Sequence, residues 1–213
     1  MSQIAIETPA NQRNTIPIIK ELGPFIRKDQ RLLEVASGYG AHCYALSKAF
    51  PSCTFQPSEI DLEKHDSIKA WQATLQSEFP KKKILPPLRL DMCQTRWPEQ
   101  LGGSHFDWII AINLIHIAPW EAVIGLFSGA RSLGQNNGVI LYGPFLTPFP
   151  SPYESLESAP SNLDFSKKLT EENPQWGVRS GLNVKNLAAS FGFNLKEMIQ
   201  MPSNNWIFIF KSI

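Results

Sequence analysis

Ten residues constrain this chain more than any other stretch: Arg31-Leu-Leu-Glu-Val-Ala-Ser-Gly-Tyr-Gly40. An apolar run over residues 31–36 ends in small residues at Ala36, Gly38 and Gly40, and helix-forming sequence follows from Ala41 to about Phe50. Small residues let a chain turn tightly from strand into helix and let a ligand come close to the backbone. The helix that follows offers unpaired N–H groups at its start. A strand feeding a helix in this way opens a β–α–β unit, which commits the rest of the chain to a mostly parallel sheet.

The remaining sequence keeps that rhythm. Residues 53–56 suit a second strand, and Ile68, Trp71 and Leu75 mark the helix after it. Residues 88–91 suit a third strand and residues 106–113 a fourth, which is nearly continuous apolar sequence and therefore the most deeply buried. A helix over 122–133 leads to a fifth strand at 138–142. Residues 143–182 then turn rich in Pro, Ser and Asn, with one short helix near 165–172. A helix at 184–191 and strands at 195–199 and 206–210 close the chain. The turn Met201-Pro-Ser-Asn-Asn205 is short enough for a hairpin, so the last strand runs antiparallel to its neighbour. Upstream, residues 1–14 read as polar and irregular. Ile16, Ile19, Leu22 and Ile26 then space a short helix that tolerates Pro17 in its first turn. The 213 residues suit one α/β domain spanning 1–213. In it, residues 1–28 form an N-terminal segment able to act as a lid, and 143–182 an insertion after strand five.

Charge and cysteine usage narrow the function classes. Twenty basic against nineteen acidic residues leave a formal charge of +1, where a nucleic-acid binder shows a basic excess or stripe. The one basic run, Lys81-Lys82-Lys83, lies near Pro80 and Pro86 and reads as a solvated loop. Cys43, Cys53 and Cys93 form no Cys-x-x-Cys pair, and the four histidines show no ligand spacing, so we expect reduced core thiols and no metal. The start of the chain lacks the apolar stretch of a signal peptide. The longest apolar run, 108–117, is interrupted by Asn113 and His116 and is too short for a bilayer. A cytoplasmic protein with no nucleic-acid or membrane partner is expected.

The chemistry gathers at the glycine turn. A dinucleotide fingerprint requires a third small residue where this chain has Cys43, and Glu34 would repel a pyrophosphate. A carboxylate there suits instead a ligand bearing an ammonium and a sulfonium, and Glu34-x-Ala-x-Gly-x-Gly40 has the class I methyltransferase form that binds S-adenosylmethionine. Ala36, Ser37, Gly38 and Gly40 would cradle that cofactor. Glu59, after strand two, is placed to accept from ribose hydroxyls, and Asp91, ending strand three beside Met92, from an adenine amino group. Asn113 ends strand four at the same carboxyl edge, followed by His116. Arg13 and Arg179 are forks able to clamp the methionine carboxylate or an anionic acceptor. His116 and Tyr142 are candidates to remove an acceptor proton, and Phe145, Phe165 and Trp176 to wall a small-molecule acceptor. The alternatives are a non-catalytic module that only binds the cofactor or a partner and, disfavoured by the missing third glycine, a nucleotide-dependent oxidoreductase.

The sequence also resembles the methyltransferase-like proteins grouped under domain of unknown function 938. The matching strings are Pro9-Ala-Asn-Gln-Arg-Asn14 with Pro17-Ile18, Leu33-Glu-Val-Ala-Ser-Gly38, Gln56-Pro-Ser58, Asn113-Leu-Ile-His-Ile117 with Pro119-Trp120, Tyr142-Gly-Pro-Phe145, Ser161-Asn162, Trp176-Gly-Val-Arg179 and Met201-Pro-Ser-Asn-Asn205. The resemblance implies a Rossmann-like class I methyltransferase fold: a mostly parallel seven-stranded sheet with an antiparallel C-terminal strand, helices on both faces, and S-adenosylmethionine as cofactor. It implies no particular acceptor. The chain departs from the family pattern at Tyr39, Ala41, Glu59, Ser166 and Ser180; the two serines stand where a carboxylate is usual.

Overall fold

The computed structural model describes residues 4–81, 83–134 and 137–213; Lys82 of the basic run and residues 1–3 lie outside the described residues. Seven strands form a sheet, mostly parallel, in the order β3-β2-β1-β4-β5-β7-β6. They are β1 (Arg31–Val35), β2 (Thr54–Pro57), β3 (Lys83–Ile84), β4 (Trp108–Ile112), β5 (Gly138–Pro144), β6 (Phe193–Met201) and β7 (Asn205–Ser212). Among the described residues six α-helices accompany them: α1 (Pro9–Leu22), α2 (Ala41–Ala49), α3 (His65–Glu78), α4 (Trp120–Ser132), α5 (Pro160–Glu172) and α6 (Gly181–Ser190). The chain divides into two compact units, Met1–Asp91 with His105–Ile110, and Met92–Ser104 with Ala111–Ile213.

In the first unit, β1 pairs in parallel with β2 from Arg31 opposite Thr54 to Glu34 opposite Pro57. Leu32, Leu33 and Val35 are fully buried, as a strand covered on both sides requires. The third strand is shifted from its expected place. It pairs at Lys83 and Ile84, and Leu85 still donates to the Phe55 carbonyl. Pro86 and Pro87 then interrupt the ladder because neither has an N–H to give. Pairing resumes only at Leu88, which donates to the Pro57 carbonyl and accepts from the Glu59 amide. Asp91 therefore follows an isolated bridge and does not end a strand.

The N-terminal helix also begins earlier than its apolar spacing suggested. Thr8 and Asn11 form a capping box and Pro9 fills the first turn, so helix replaces the irregular segment expected through residue 14. Pro17 consequently lies inside the helix rather than in its first turn. Ile18 and Leu22 are buried at 1% and 0% exposure, which supplies the apolar anchoring that offsets the missing proline donor.

The second unit is built on close approach. In α4, a Cβ at Gly125 would collide with the Met92 carbonyl, and one at Gly129 with the Trp97 indole. Trp97 is fully buried, and its Nε1 donates to the Gly125 carbonyl at 2.9 Å. Every residue of β5 is buried, as is every residue of β4, in line with its apolar sequence. β7 runs antiparallel to both β5 and β6. The hairpin between β6 and β7 turns through Ser203 and Asn204 in the left-handed region (φ 59° and 57°). Helix α5 is thirteen residues long, well beyond the short helix expected at 165–172, because Pro160 opens it at a first-turn position. Among the described residues no cysteine forms a disulfide, but Cys93 is exposed and is not the core thiol expected. Among the described residues no group of acids, histidines and cysteines could hold a metal, and no helix is long and apolar enough to cross a membrane.

Candidate functional site

The glycine turn has the conformation its small residues permit. Ala36, Gly38 and Gly40 all have positive φ, at 52°, 55° and 88°. For Ala36 this left-handed geometry carries a steric cost that glycine would not. A Cβ at Gly40 would lie 3.1 Å from the Ile68 Cα, so this glycine lets α3 pack against the turn. At Gly38 a Cβ would meet nothing within 4 Å. Space beside the Gly38 backbone is therefore open, as a ligand lying over the turn requires.

A small hydrogen-bonded lattice holds the turn. The Glu34 carbonyl accepts from the Ser58 amide (2.8 Å), the Ser58 hydroxyl (3.0 Å) and the Ser37 hydroxyl (3.2 Å). The Ser37 amide donates back to the Ser58 carbonyl at 2.8 Å. Ser58 is fully buried and central here, a role that sequence reasoning missed although its Gln56-Pro-Ser58 string stood out. Glu59 is buried too: its Oε2 accepts from the Gly38 amide at 2.8 Å and its Oε1 from the Asp61 amide at 3.1 Å. Each oxygen keeps a second lone pair, so the carboxylate is held in place while still able to accept from a pair of hydroxyls.

Glu34 has no backbone amide on its carboxyl among the described residues. The residue is 2% exposed and its Oε2 is buried with no hydrogen-bond partner. Burial pushes the carboxyl up to about 8; Ser37 opposes that rise and the Glu59 carboxylate adds to it. At neutral pH the group is mostly protonated, and a cationic ligand beside it would draw the proton off. These features fit S-adenosylmethionine: an open glycine backbone, an anchored acid, and a buried acid with one unpartnered oxygen. Asp91, half-buried, belongs to the same unit.

The N-terminal segment is tied to this unit. The Ile6 amide donates to the Ser67 hydroxyl (2.9 Å), which itself donates to the Tyr39 carbonyl in the glycine turn (2.8 Å). The Trp71 indole donates to the Ile6 carbonyl, and Thr15 Oγ1 lies 3.0 Å from Nδ1 of His42 on α2. Burial brings the His42 imidazole down to about 4. Arg13 is exposed on α1, with no hydrogen bond or ion pair among the described residues.

In the second unit the carboxyl ends of β4 and β5 carry another cluster. Asn113 adopts a left-handed conformation (φ 57°) that asparagine tolerates, and its amide donates to the Tyr142 carbonyl at 2.8 Å. Gly143 lies against both Asn113 and His116: a Cβ there would sit 3.4 Å from His116 Nδ1 and 3.6 Å from Asn113 Oδ1. His116 is 4% exposed, its Nδ1 buried without a partner and its ring edge-on to Phe165 at 5.6 Å. Burial brings it down to about 4, and the nearby Arg179 guanidinium adds to the effect. Tyr142 and Met92 are both buried, the former within β5.

Arg179 does not present a free fork. Its Nε donates to the Ile115 carbonyl, and one terminal nitrogen donates to the carbonyls of Ala118 and Gln175, both at 2.7 Å. The guanidinium also lies over the Trp120 ring at 5.9 Å. It fastens the loop that carries His116. The serines at the two departures from the family pattern likewise serve the backbone. Ser166 accepts from the Val178 amide, and Ser180 caps α6 by accepting from the Asn183 amide. Of the expected acceptor wall, Phe145 is buried and stacked on Phe208 at 4.1 Å, whereas Phe165 is 39% exposed and Trp176 half-buried.

The family described as "Protein of unknown function (DUF938)" matches residues 6–212. Among solved structures, the chain is similar to CalO1, described as a methyltransferase in calicheamicin biosynthesis in its SAH-bound form (TM-score 0.74, 10% identity, 96% of this chain and 54% of that one). It is also similar to human N-acetylserotonin methyltransferase in complex with SAM (0.70, 12%, 95% and 52%) and to an O-methyltransferase family protein from Burkholderia thailandensis (0.71, 13%, 95% and 56%). The chain thus spans about half the length of these structures. At such low identity the likeness shows the fold.

Proposed function

The chain belongs to the family of proteins of unknown function 938, and from that premise and its geometry we propose that it is an S-adenosylmethionine-dependent methyltransferase acting on a small-molecule acceptor. The observation that carries this reading is the glycine turn with its two unlike acids. Glu59 is anchored by two backbone amides and suits ribose, while Glu34 is buried with its Oε2 unpartnered and is raised to about 8, and so responds to a positive ligand. Asp91 is assigned to the adenine amino group. The solved structures of similar fold include two described as bound to SAH or SAM, which supports the cofactor assignment.

The bound cofactor would supply a methyl carbon already activated by its sulfonium. The protein's task is then to align donor and acceptor and exclude water. His116 is neutral at physiological pH. A ring brought down to about 4 is a weak proton acceptor there, so we assign its unpaired Nδ1 the orientation of an acceptor hydroxyl or amine rather than general-base catalysis. The near balance of charge supports a small acceptor over a nucleic acid.

Calorimetry with S-adenosylmethionine, S-adenosylhomocysteine and NAD tests the assignment. Binding of the first two and not the third is expected, and tighter NAD binding would reverse it. Formation of S-adenosylhomocysteine with a panel of small hydroxyl and amine acceptors then separates an enzyme from a module that only binds.

A further inference from the structure

Two strings singled out in the sequence, Ser161-Asn162 and Met201-Pro-Ser-Asn-Asn205, take no part in the reading above, yet the second unit brings them together. Asn162, 6% exposed, donates its amide to the carbonyls of Asn204 (2.9 Å) and Phe145 (3.4 Å). Asn204 donates in turn to the Ser161 hydroxyl at 2.9 Å. The tie joins the start of α5 to the left-handed turn between β6 and β7, and between them lies a cavity of about 250 Å³. At ~30 Å³ per water it could hold about eight waters, near the small end of ligand sites.

We propose that this cavity is a binding site for a small amine in its ammonium form, carrying an apolar ring. Three features of the lining point the same way. Glu157 is the only charged residue that lines it among the described residues, and it is negative. Asn162, Asn204 and Asn205 all line the cavity and all commit their amide N–H groups to protein oxygens. For Asn162 and Asn205 the partners are carbonyls, which fixes the orientation of the amide. No Oδ1 of the three has a protein partner among the described residues, so these three side chains, like Glu157, offer acceptors to a donor. The third feature is aromatic. Phe149 and Trp206 line the cavity with ring centroids 5.2 Å apart, and Phe145 joins them with its other neighbour Phe208 stacked behind. Ring faces attract cations and ring-bearing ligands alike. A carboxylate ligand would meet Glu157 and three amide oxygens, with only the neutral Gln200 amide and the Trp206 indole to donate to it.

None of the residues lining the cavity is among those assigned to the cofactor, so its test can fail without touching that reading. Phenethylamine, phenethyl alcohol and phenylacetate are titrated into the whole protein at low salt and neutral pH, with binding read by calorimetry and by the Trp206 indole resonance. The amine is expected to bind saturably, the alcohol several-fold more weakly, and phenylacetate not at all. An exposed charge pair contributes roughly up to 1 kcal/mol, so Glu157→Gln should weaken the amine about threefold to fivefold. Gln200→Lys, an exposed position on the same rim, places a cation against the site and should abolish binding. Both variants should keep the thermal midpoint and the S-adenosylmethionine affinity of the parent. Equal binding of phenylacetate and amine would overturn the proposal, as would an amine affinity indifferent to both substitutions. A fall in S-adenosylmethionine affinity with Glu157→Gln would also overturn it, because the cavity would then belong to donor binding.

Discussion

Glu34 in the first unit and His116 in the second are both nearly sealed from water, and each leaves one polar atom unpaired. Burial acts on them in opposite senses. The acid is pushed up to about 8 and the imidazole down to about 4, so at neutral pH both are largely uncharged. Their neighbours then separate them. Glu59 stands near Glu34 and a cationic ligand would relieve that repulsion, whereas Arg179 stands near His116 and keeps the proton off. The first site is thus poised to become charged when it is filled, and the second is built to stay neutral.

The largest effect expected from this contrast is on cofactor affinity. A hydrogen bond to a charged group contributes roughly 1.5–3 kcal/mol, so Glu34→Gln should weaken S-adenosylmethionine about 10- to 100-fold. His116→Gln should leave that affinity within about twofold. Calorimetry on both variants decides, and equal losses would erase the distinction between the units.

Next in size is a pair of glycines in one turn. Gly40→Ala must take a left-handed backbone, at ~1–2 kcal/mol, and also push against Ile68, so a loss of about 2 kcal/mol in chemical denaturation is expected. Gly38→Ala carries the same backbone cost with no contact penalty, and its added methyl group should be felt mainly by the cofactor. If the two variants lose equal stability, Ile68 yields freely and the packing argument at Gly40 fails.

The pH profile sharpens the contrast. Cationic cofactor prefers ionised Glu34, so affinity should rise about tenfold between mildly acidic pH and about pH 9, with proton release visible in the buffer dependence of the binding enthalpy. For stability the signs oppose. Glu34, raised from 4.5 to about 8, contributes stability below its ordinary range that is lost as pH climbs towards 8. His116 and His42, lowered from 6.5 to about 4, contribute stability above 6.5 that is lost as pH falls through 4. Thermal midpoints of Glu34→Gln should therefore depend less on pH than those of the parent over the upper window only.

The smallest effect belongs to Arg179→Lys. Lysine keeps the charge but cannot serve three carbonyls in the same plane, so a loss of about 1 kcal/mol is expected. Because the positive charge remains, the His116 titration seen by NMR should shift little. A large shift would show that the fork, not the charge, governs the ring.

How much of this was legible depends on whether the determinant was local. The glycine turn, α2, β4 and the closing hairpin were readable because apolar period and turn chemistry act over a few residues. The third strand was misplaced because Leu88 and Leu90 look like strand while Pro86 and Pro87 interrupt the ladder with β2. The early start of α1 turns on a capping box between Thr8 and Asn11, polar residues that apolar spacing ignores. At the site, the acids were visible as residues but not their states: burial raises the carboxyl of Glu34, and the amides of Gly38 and Asp61 anchor Glu59, and only folding assembles either. Arg179 reads in the sequence as a fork able to clamp an anion, and only the fold shows the carbonyls of Ile115, Ala118 and Gln175 that its Nε and one terminal nitrogen meet.

The proline break in β3 matters for how chains meet one another. β3 and β6 are the outer strands of the sheet. A strand only two residues long, followed by Pro86 and Pro87, gives an incoming strand almost no ladder to join. The opposite margin is a nine-residue strand, and its protection is of another kind: an irregularity between Leu195 and Glu197, with Lys196 placing a charge beside it. Strand addition or aggregation would therefore start along β6. Replacing Lys196 and Glu197 with β-branched apolar residues would turn that margin into a template for self-association, while the same change at Lys83 would gain little.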